Sequence, residues 1–182
     1  MSTREFVCVT LALVVGACAS AGVTPTAMES PNLGREATPA QIAGWDISVG
    51  PDGVGLPPGK GTSVMGATVY ERKCHVCHGA KGVGQPNDRL VGGQGSLAGA
   101  APVRTIGSYW PYATTVFDYV RRAMPYQQPQ SLTSEEVYAV TAYLLHLNGV
   151  IAEGDVMNAQ TLPQVKMPNR ENFILAYPPR SG

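Results

Sequence analysis

The chain has 182 residues, room for one globular domain with extensions, and its 13 Lys and Arg balance 13 Asp and Glu. A net charge of zero excludes a global field that would steer it toward nucleic acid or an acidic membrane surface, so any charged partner patch must be local. Charged residues are only 14% of the chain, while Gly (21) and Pro (15) are plentiful; this excludes a bundle saturated with surface charge and points to a loop-rich domain whose core a buried cofactor can complete.

Residues 1–21 read as a cleaved export signal. Arg4 is the basic residue of a short n-region, and the apolar run from Phe6 to Val15 is too short to span a bilayer. Two processing outcomes then compete. Val15-Gly16-Ala17-Cys18 resembles a lipobox, which would lipidate Cys18 and anchor the mature protein in the membrane, whereas Ala19-Ser20-Ala21 is an A-x-A site for ordinary cleavage. The lipobox is placed first, because Cys18 is otherwise unexplained; Cys8 is a plain apolar residue of the h-region. Either outcome puts the protein outside the cytoplasm, in the periplasm. Residues 22–44 are poorly patterned and suit a flexible leader or tether. Residues 45–150 form the predicted domain, including an irregular N-terminal arm over Trp45 to Gly59.

The first helix is predicted from Thr62 to Cys77. Val64, Met65, Val69 and Tyr70 are its apolar positions, and Gly66 allows another helix to approach closely. The helix ends in Cys74-His75-Val76-Cys77-His78, which is C-x-x-C-H, the haem attachment pattern of c-type proteins. Two thiols at this spacing can each add to a haem vinyl group, and the adjacent His is then held as an axial iron ligand. No second cysteine pair remains to complete a zinc site, so a redox dithiol is the competing reading. One motif implies one covalently attached haem c. His75 lies between the thiols and faces away from the iron.

The segment from Gly79 to Trp110 is rich in Gly, Pro and small residues and is predicted to wrap the lower edge of the cofactor. His78 needs a partner for its second ring nitrogen, expected to be a backbone carbonyl near Pro86. Arg89, Arg104, Tyr109 and Trp110 are candidate donors to the haem propionates, since Arg matches a carboxylate and a buried indole N–H needs an acceptor. Each of the four could equally be a surface or packing residue.

A second helix is predicted from Tyr112 to Met124, with Val116, Phe117 and Val120 at helical spacing. Arg121 and Arg122 read as a solvated helix end favoured by the macrodipole, or more boldly as part of a docking rim. Met124 stands before Pro125, which ends the helix and lets the loop turn the thioether toward the iron, so it is the candidate second axial ligand. Met157 and Met167 are reserve candidates, Met65 is expected in the core, and His146 reads as a packing or surface residue. The third helix opens on the capping box Thr133-Ser134-Glu135-Glu136 and carries the stripe Val137, Val140, Leu144 and Leu147, joined by Tyr143, before Asn148-Gly149 closes it. The first and third helices should cross with Gly66 and Tyr70 near Tyr143. No strand pair is evident, so the predicted fold is all-α: three main helices around one haem, with long irregular N- and C-terminal arms. Residues 151–182 are the C-terminal arm, too poor in apolar residues for a core of its own.

Several runs resemble the c-type cytochrome subunit of bacterial sulfite or sulfur (sulfane) dehydrogenases, whose domain is of the class I cytochrome c type. They are Trp45-Asp46-Ile47-Ser48-Val49-Gly50-Pro51-Asp52-Gly53, Gly55-Leu56-Pro57-Pro58-Gly59, Arg89-Leu90-Val91-Gly92-Gly93-Gln94-Gly95 and Trp110-Pro111-Tyr112 through Tyr119. Further runs are Arg121-Arg122-Ala123-Met124-Pro125, Leu144-Leu145-His146-Leu147-Asn148-Gly149 and Lys166-Met167-Pro168-Asn169-Arg170, so the resemblance covers about residues 45 to 172. It implies a cytochrome that accepts electrons from a molybdenum-cofactor subunit oxidising a sulfur substrate and passes them to a downstream c-type cytochrome. It also implies Cys74, Cys77, His78 and Met124 as haem attachment sites and axial ligands. Some relatives carry a second haem domain; the single C-x-x-C-H motif here leads us to expect one haem domain.

The expected role is therefore electron transfer and not catalysis by the chain itself, since a His/Met pair saturates the iron. The alternatives are a haem enzyme or sensor with an open sixth coordination site, and a free electron shuttle to an oxidase.

Overall fold

The computed structural model of the chain describes residues 33–174, 176 and 177. The signal segment, the lipobox around Cys18 and residues 22–32 of the leader lie outside the described residues. Among those described, no helix is long and apolar enough to cross a membrane. A short helix α1 (Pro39–Trp45) buries none of its residues. The domain that follows runs β1 (Lys60–Thr62), α2 (Ser63–Lys73), α3 (His75–His78), α4 (Ala113–Ala123), α5 (Ser134–Leu147) and β2 (Val156–Asn158).

Helix α2 begins where Thr62, in extended conformation, accepts the Met65 amide on its hydroxyl. Its inward stripe is Ser63, Gly66, Val69 and Tyr70. Met65, expected in the core, is half exposed, and Val64 is more exposed still. Each lies one or two positions before Gly66, and about 100° per residue carries both off the stripe. The single predicted helix from Thr62 to Cys77 is in fact two: the backbone breaks at Cys74 (φ −123°, ψ −36°) and resumes as the single turn α3.

The α5 capping box is complete, with Thr133 Oγ1 accepting the Glu136 amide at 3.2 Å and Glu136 Oε2 accepting the Thr133 amide at 3.0 Å. The predicted stripe is too narrow, because Tyr138, Ala139, Thr141, Ala142 and Leu145 are buried as well. A helix buried almost all round is a central one, and α5 packs against α2, α4 and β1. Toward α4, the Tyr138 and Phe117 rings lie 4.5 Å apart. Toward α2, a Cβ on Gly66 would strike the Ala139 carbonyl and stand 2.7 Å from Tyr143 Cβ, and the Tyr70 and Tyr143 rings sit 5.4 Å apart beside it. The expected crossing of first and third helices is thus present, at Gly66 and Ala139.

Helices carry the domain, as expected for the fold class, but a strand pair is present after all. β1 and β2 pair antiparallel with Gly61 opposite Met157. Three-residue strands are too short to show alternation, and Gly61 is there because the Ala139 backbone lies against it. This pairing brings back the C-terminal arm, whose Met157, Leu162 and Met167 are buried at 4%, 0% and 4% exposure. The arm has no core of its own, yet it places three anchors in the core of the domain.

The N-terminal arm is held by α4. Asp118 accepts the Val49 amide at 3.0 Å and pairs with Arg122 at 3.0 Å, while Arg121 donates to the Ile47 carbonyl at 3.3 Å. Arg121 and Arg122 therefore fasten the arm, where a merely solvated helix end had been expected. Replacing Gly66 by valine should cost about 1–3 kcal/mol through overpacking; urea unfolding checks this, and a loss within error would place the crossing elsewhere.

Candidate functional site

The segment after α3 folds back on the Cys-x-x-Cys-His turn through its backbone. Gly84 N–H donates to the His78 carbonyl at 2.9 Å and Asn87 N–H to the Cys77 carbonyl at 2.8 Å. Gly79 makes the reversal at φ +72°, where a Cβ would strike the Gly84 carbonyl. The buried Tyr70 hydroxyl donates to the Gly79 carbonyl at 2.9 Å, joining the helix crossing to this turn. The returning chain puts the Asp88 carbonyl 2.8 Å from His78 Nδ1. A carbonyl only accepts, so Nδ1 carries the proton and Nε2 is left free to ligate a metal. The carbonyl expected near Pro86 is thus that of Asp88, two residues on.

Cys74, Cys77 and His78 line a cavity of about 630 Å³, within the range of about 300–1,000 Å³ common for cofactor sites. Leu90 and Ile106 from the long loop, Val116 and Val120 from α4, and Val140 and Leu144 from α5 supply apolar walls. Met124 also lines it, standing at the C-cap of α4 in extended conformation (φ −123°, ψ 143°). Of the methionines among the described residues, it alone reaches the cavity; Met157 and Met167 are packed into the core, and Met65 is on the surface. His146 is half-buried on α5 and is not part of the lining, and His75 turns to Glu71, 2.7 Å from its Nδ1.

Three of the four predicted propionate donors, Arg89, Arg104 and Trp110, line the cavity. Tyr109 does not: its ring packs edge-on against Phe173 at 5.5 Å, with the Arg104 guanidinium 5.5 Å above it. It backs Arg104 and does not reach the cavity itself. Sequence reasoning missed Asn148 as anything beyond a helix end, although the amide sits among loop backbone groups it can bind.

Burial, and then the neighbouring Cys77, pushes the Cys74 thiol up to about 11. A redox dithiol is activated by the opposite shift, and it has no use for the large apolar-walled cavity that both thiols line with His78 and Met124. Paired thiols, an imidazole with Nε2 free, a thioether, apolar walls and two arginines fit a covalently attached haem. Cys74 and Cys77 would hold its vinyl carbons, and His78 and Met124 its iron.

The family model for cytochrome c matches residues 63–148. A thiosulfate dehydrogenase of Psychrobacter arcticus is 32% identical over 89 residues, which is 45% of this chain and 25% of that protein, so the chain spans about a quarter of that relative's length. The crystal structure of the sulfane dehydrogenase SoxCD from Paracoccus pantotrophus superposes with a TM-score of 0.75 at 45% identity, covering 82% of this chain and 72% of that one.

Burial raises the Tyr70 hydroxyl above its free value, a cause that persists when Cys74 is tied up as a thioether. A free tyrosine ionises near 10, so the stability tied to neutral Tyr70 is complete below pH 10 and is lost as pH climbs toward 12. Urea midpoints measured across this window should fall more steeply for the native protein than for Tyr70→Phe. Below it, the variant should be weaker by about 1 kcal/mol for the lost hydrogen bond. Parallel curves would contradict the assignment.

Proposed function

Because the chain belongs to the cytochrome c family and carries haem c as its covalently attached cofactor, we propose that it is the electron-accepting subunit of a sulfur-compound dehydrogenase. In this reading a molybdenum-containing subunit oxidises sulfite or a related sulfur substrate, and a downstream c-type cytochrome receives the electrons. One observation carries the carrier role: His78 and Met124, from separate helices, line one cavity. With both as ligands the iron is saturated, and no position is left for substrate. The similarity to a sulfane dehydrogenase structure along 82% of this chain supports the choice of partner.

The bound haem supplies one-electron chemistry at a potential raised by a His/Met ligand pair. Everything else falls to the chain. Cys74 and Cys77 tether the group, the Asp88 carbonyl holds His78 in its ligating tautomer, and the apolar walls keep water out. Val76 and Tyr126 line the cavity and are also 80% and 78% exposed, so they mark its mouth as the face where electrons enter and leave. Contact of that face with the downstream cytochrome should be transient and small, below about 1,200 Å². Oxidation of sulfite to sulfate releases two electrons, so with that substrate one haem must be filled and emptied twice per turnover. We place the protein outside the cytoplasm, exported by its N-terminal signal, with cleavage before Cys18 leaving that residue as its lipid attachment point.

A second reading, a haem enzyme with a labile sixth ligand, is favoured by the likeness to a thiosulfate dehydrogenase. Carbon monoxide separates the two. The ferrous protein should bind it poorly and Met124→Ala should bind it at once, with a lower reduction potential; ready binding by the native protein would favour the enzyme. For the partner, the haem absorption is followed as sulfite is added to the protein purified from the envelope. Reduction should require the large subunit that co-purifies. Reduction by sulfite without that subunit would contradict the carrier reading, and none in either case would remove sulfite as the substrate.

A further inference from the structure

The cavity wall on the Arg89 and Arg104 side is built from residues 89–110, which contain neither helix nor strand. Such a wall needs an external fixture. Asn148, at the C-cap of α5 and 7% exposed, has every amide atom engaged. Its Nδ2 donates to the Leu144 carbonyl at 2.8 Å and to the Leu90 carbonyl at 3.2 Å, and its Oδ1 accepts the Gly92 amide at 3.0 Å. Gln94 Nε2 donates to the Asn148 carbonyl at 3.1 Å. Gly107 closes the other side, where a Cβ would collide with the Asn148 side chain.

The Leu90 carbonyl also accepts the Ile106 amide at 3.3 Å, so both ends of the wall meet at this point. Within the loop, Thr105 Oγ1 donates to the Gly92 carbonyl and Ser108 Oγ to the Val103 carbonyl, which makes one connected network of the segment. A buried amide in a fully satisfied network fixes a single geometry.

We infer that Asn148 is the positioning residue of the haem site: it clamps the 90–107 loop to α5 and so sets the wall that carries Arg89 and Arg104 and shuts water out of the cavity. The inference rests on the reading of this cavity as the haem site. Opening the wall admits water, which favours the more highly charged ferric form and lowers the reduction potential.

The test uses the haem-loaded protein with Asn148→Asp, Asn148→Leu and Gln94→Ala, and Met157→Ala as a core-destabilised control whose side chain is not part of the lining. A carboxylate at 148 keeps the shape but cannot donate to Leu90. Two quantities are read: exchange of the Gly92 amide, and the ferrous-to-ferric ratio at a fixed redox poise. Asn148→Leu, which removes the acceptor of the Gly92 amide and adds no charge, should speed Gly92 exchange at least tenfold relative to the control and lower the ratio about tenfold, equivalent to about 59 mV for one electron; Asn148→Asp keeps that acceptor and should speed exchange less. Gln94→Ala should move both in the same direction by less, and it stands in if Asn148→Leu does not fold. A ratio unchanged from the control in Asn148→Leu and Gln94→Ala would overturn the proposal, as would unaltered Gly92 exchange in both. The exchange reading needs no haem chemistry, so failure of the clamp is distinguishable from failure of the cofactor reading.

Discussion

The approach of α2 to α5 at Gly66 and Ala139 is the contact on which the rest of the molecule depends. Only a residue without Cβ lets the two backbones come this close, because the next atom out would overlap the Ala139 carbonyl. The crossing fixes Tyr70 against Tyr143, and the Tyr70 hydroxyl in turn holds the Gly79 carbonyl just beyond the Cys-x-x-Cys-His turn. A steric fact at one end of α2 thereby sets the position of the imidazole at the other end. From that imidazole, the Asp88 carbonyl draws in the start of the long loop.

Around this axis the protein solves the problem posed by its composition. A domain with so many Gly and Pro residues cannot close a core with regular structure alone. It completes the core with three additions: the N-terminal arm latched by Asp118, the C-terminal arm anchored by Met157, Leu162 and Met167, and a cavity suited to an apolar macrocycle. The arms and the cavity meet in α4. One side of that helix receives the N-terminal arm, and another presents Val116, Val120 and Met124 to the cavity.

How far the sequence could be read follows from which interactions are local. Cys74, Cys77 and His78 are legible because their chemistry is set by spacing within one turn, and the Thr133 and Glu136 cap because it is closed within four residues. Gly66 was legible as a place of close approach, and Met124 as a residue freed by a following proline. The strand pair was not, since three residues show no period and its warrant lies in Ala139, far along the chain. Tyr109 looked like a cavity donor beside Trp110, but its ring is taken by Phe173 from the C-terminal arm. Asn148 looked like a helix end. Its partners Leu90, Gly92 and Gln94 lie more than 50 residues away, and no local pattern announces them.

One cavity, with His78 on one helix and Met124 at the end of another, would hold a haem iron saturated by both. Proton NMR of the ferrous protein tests it most directly, because a thioether bound to haem iron has its methyl resonance displaced far upfield by the ring current. One such methyl is expected, that of Met124, with the other methionine methyls at ordinary positions. A displaced methyl belonging to Met65, Met157 or Met167, or no displaced methyl at all, would contradict it.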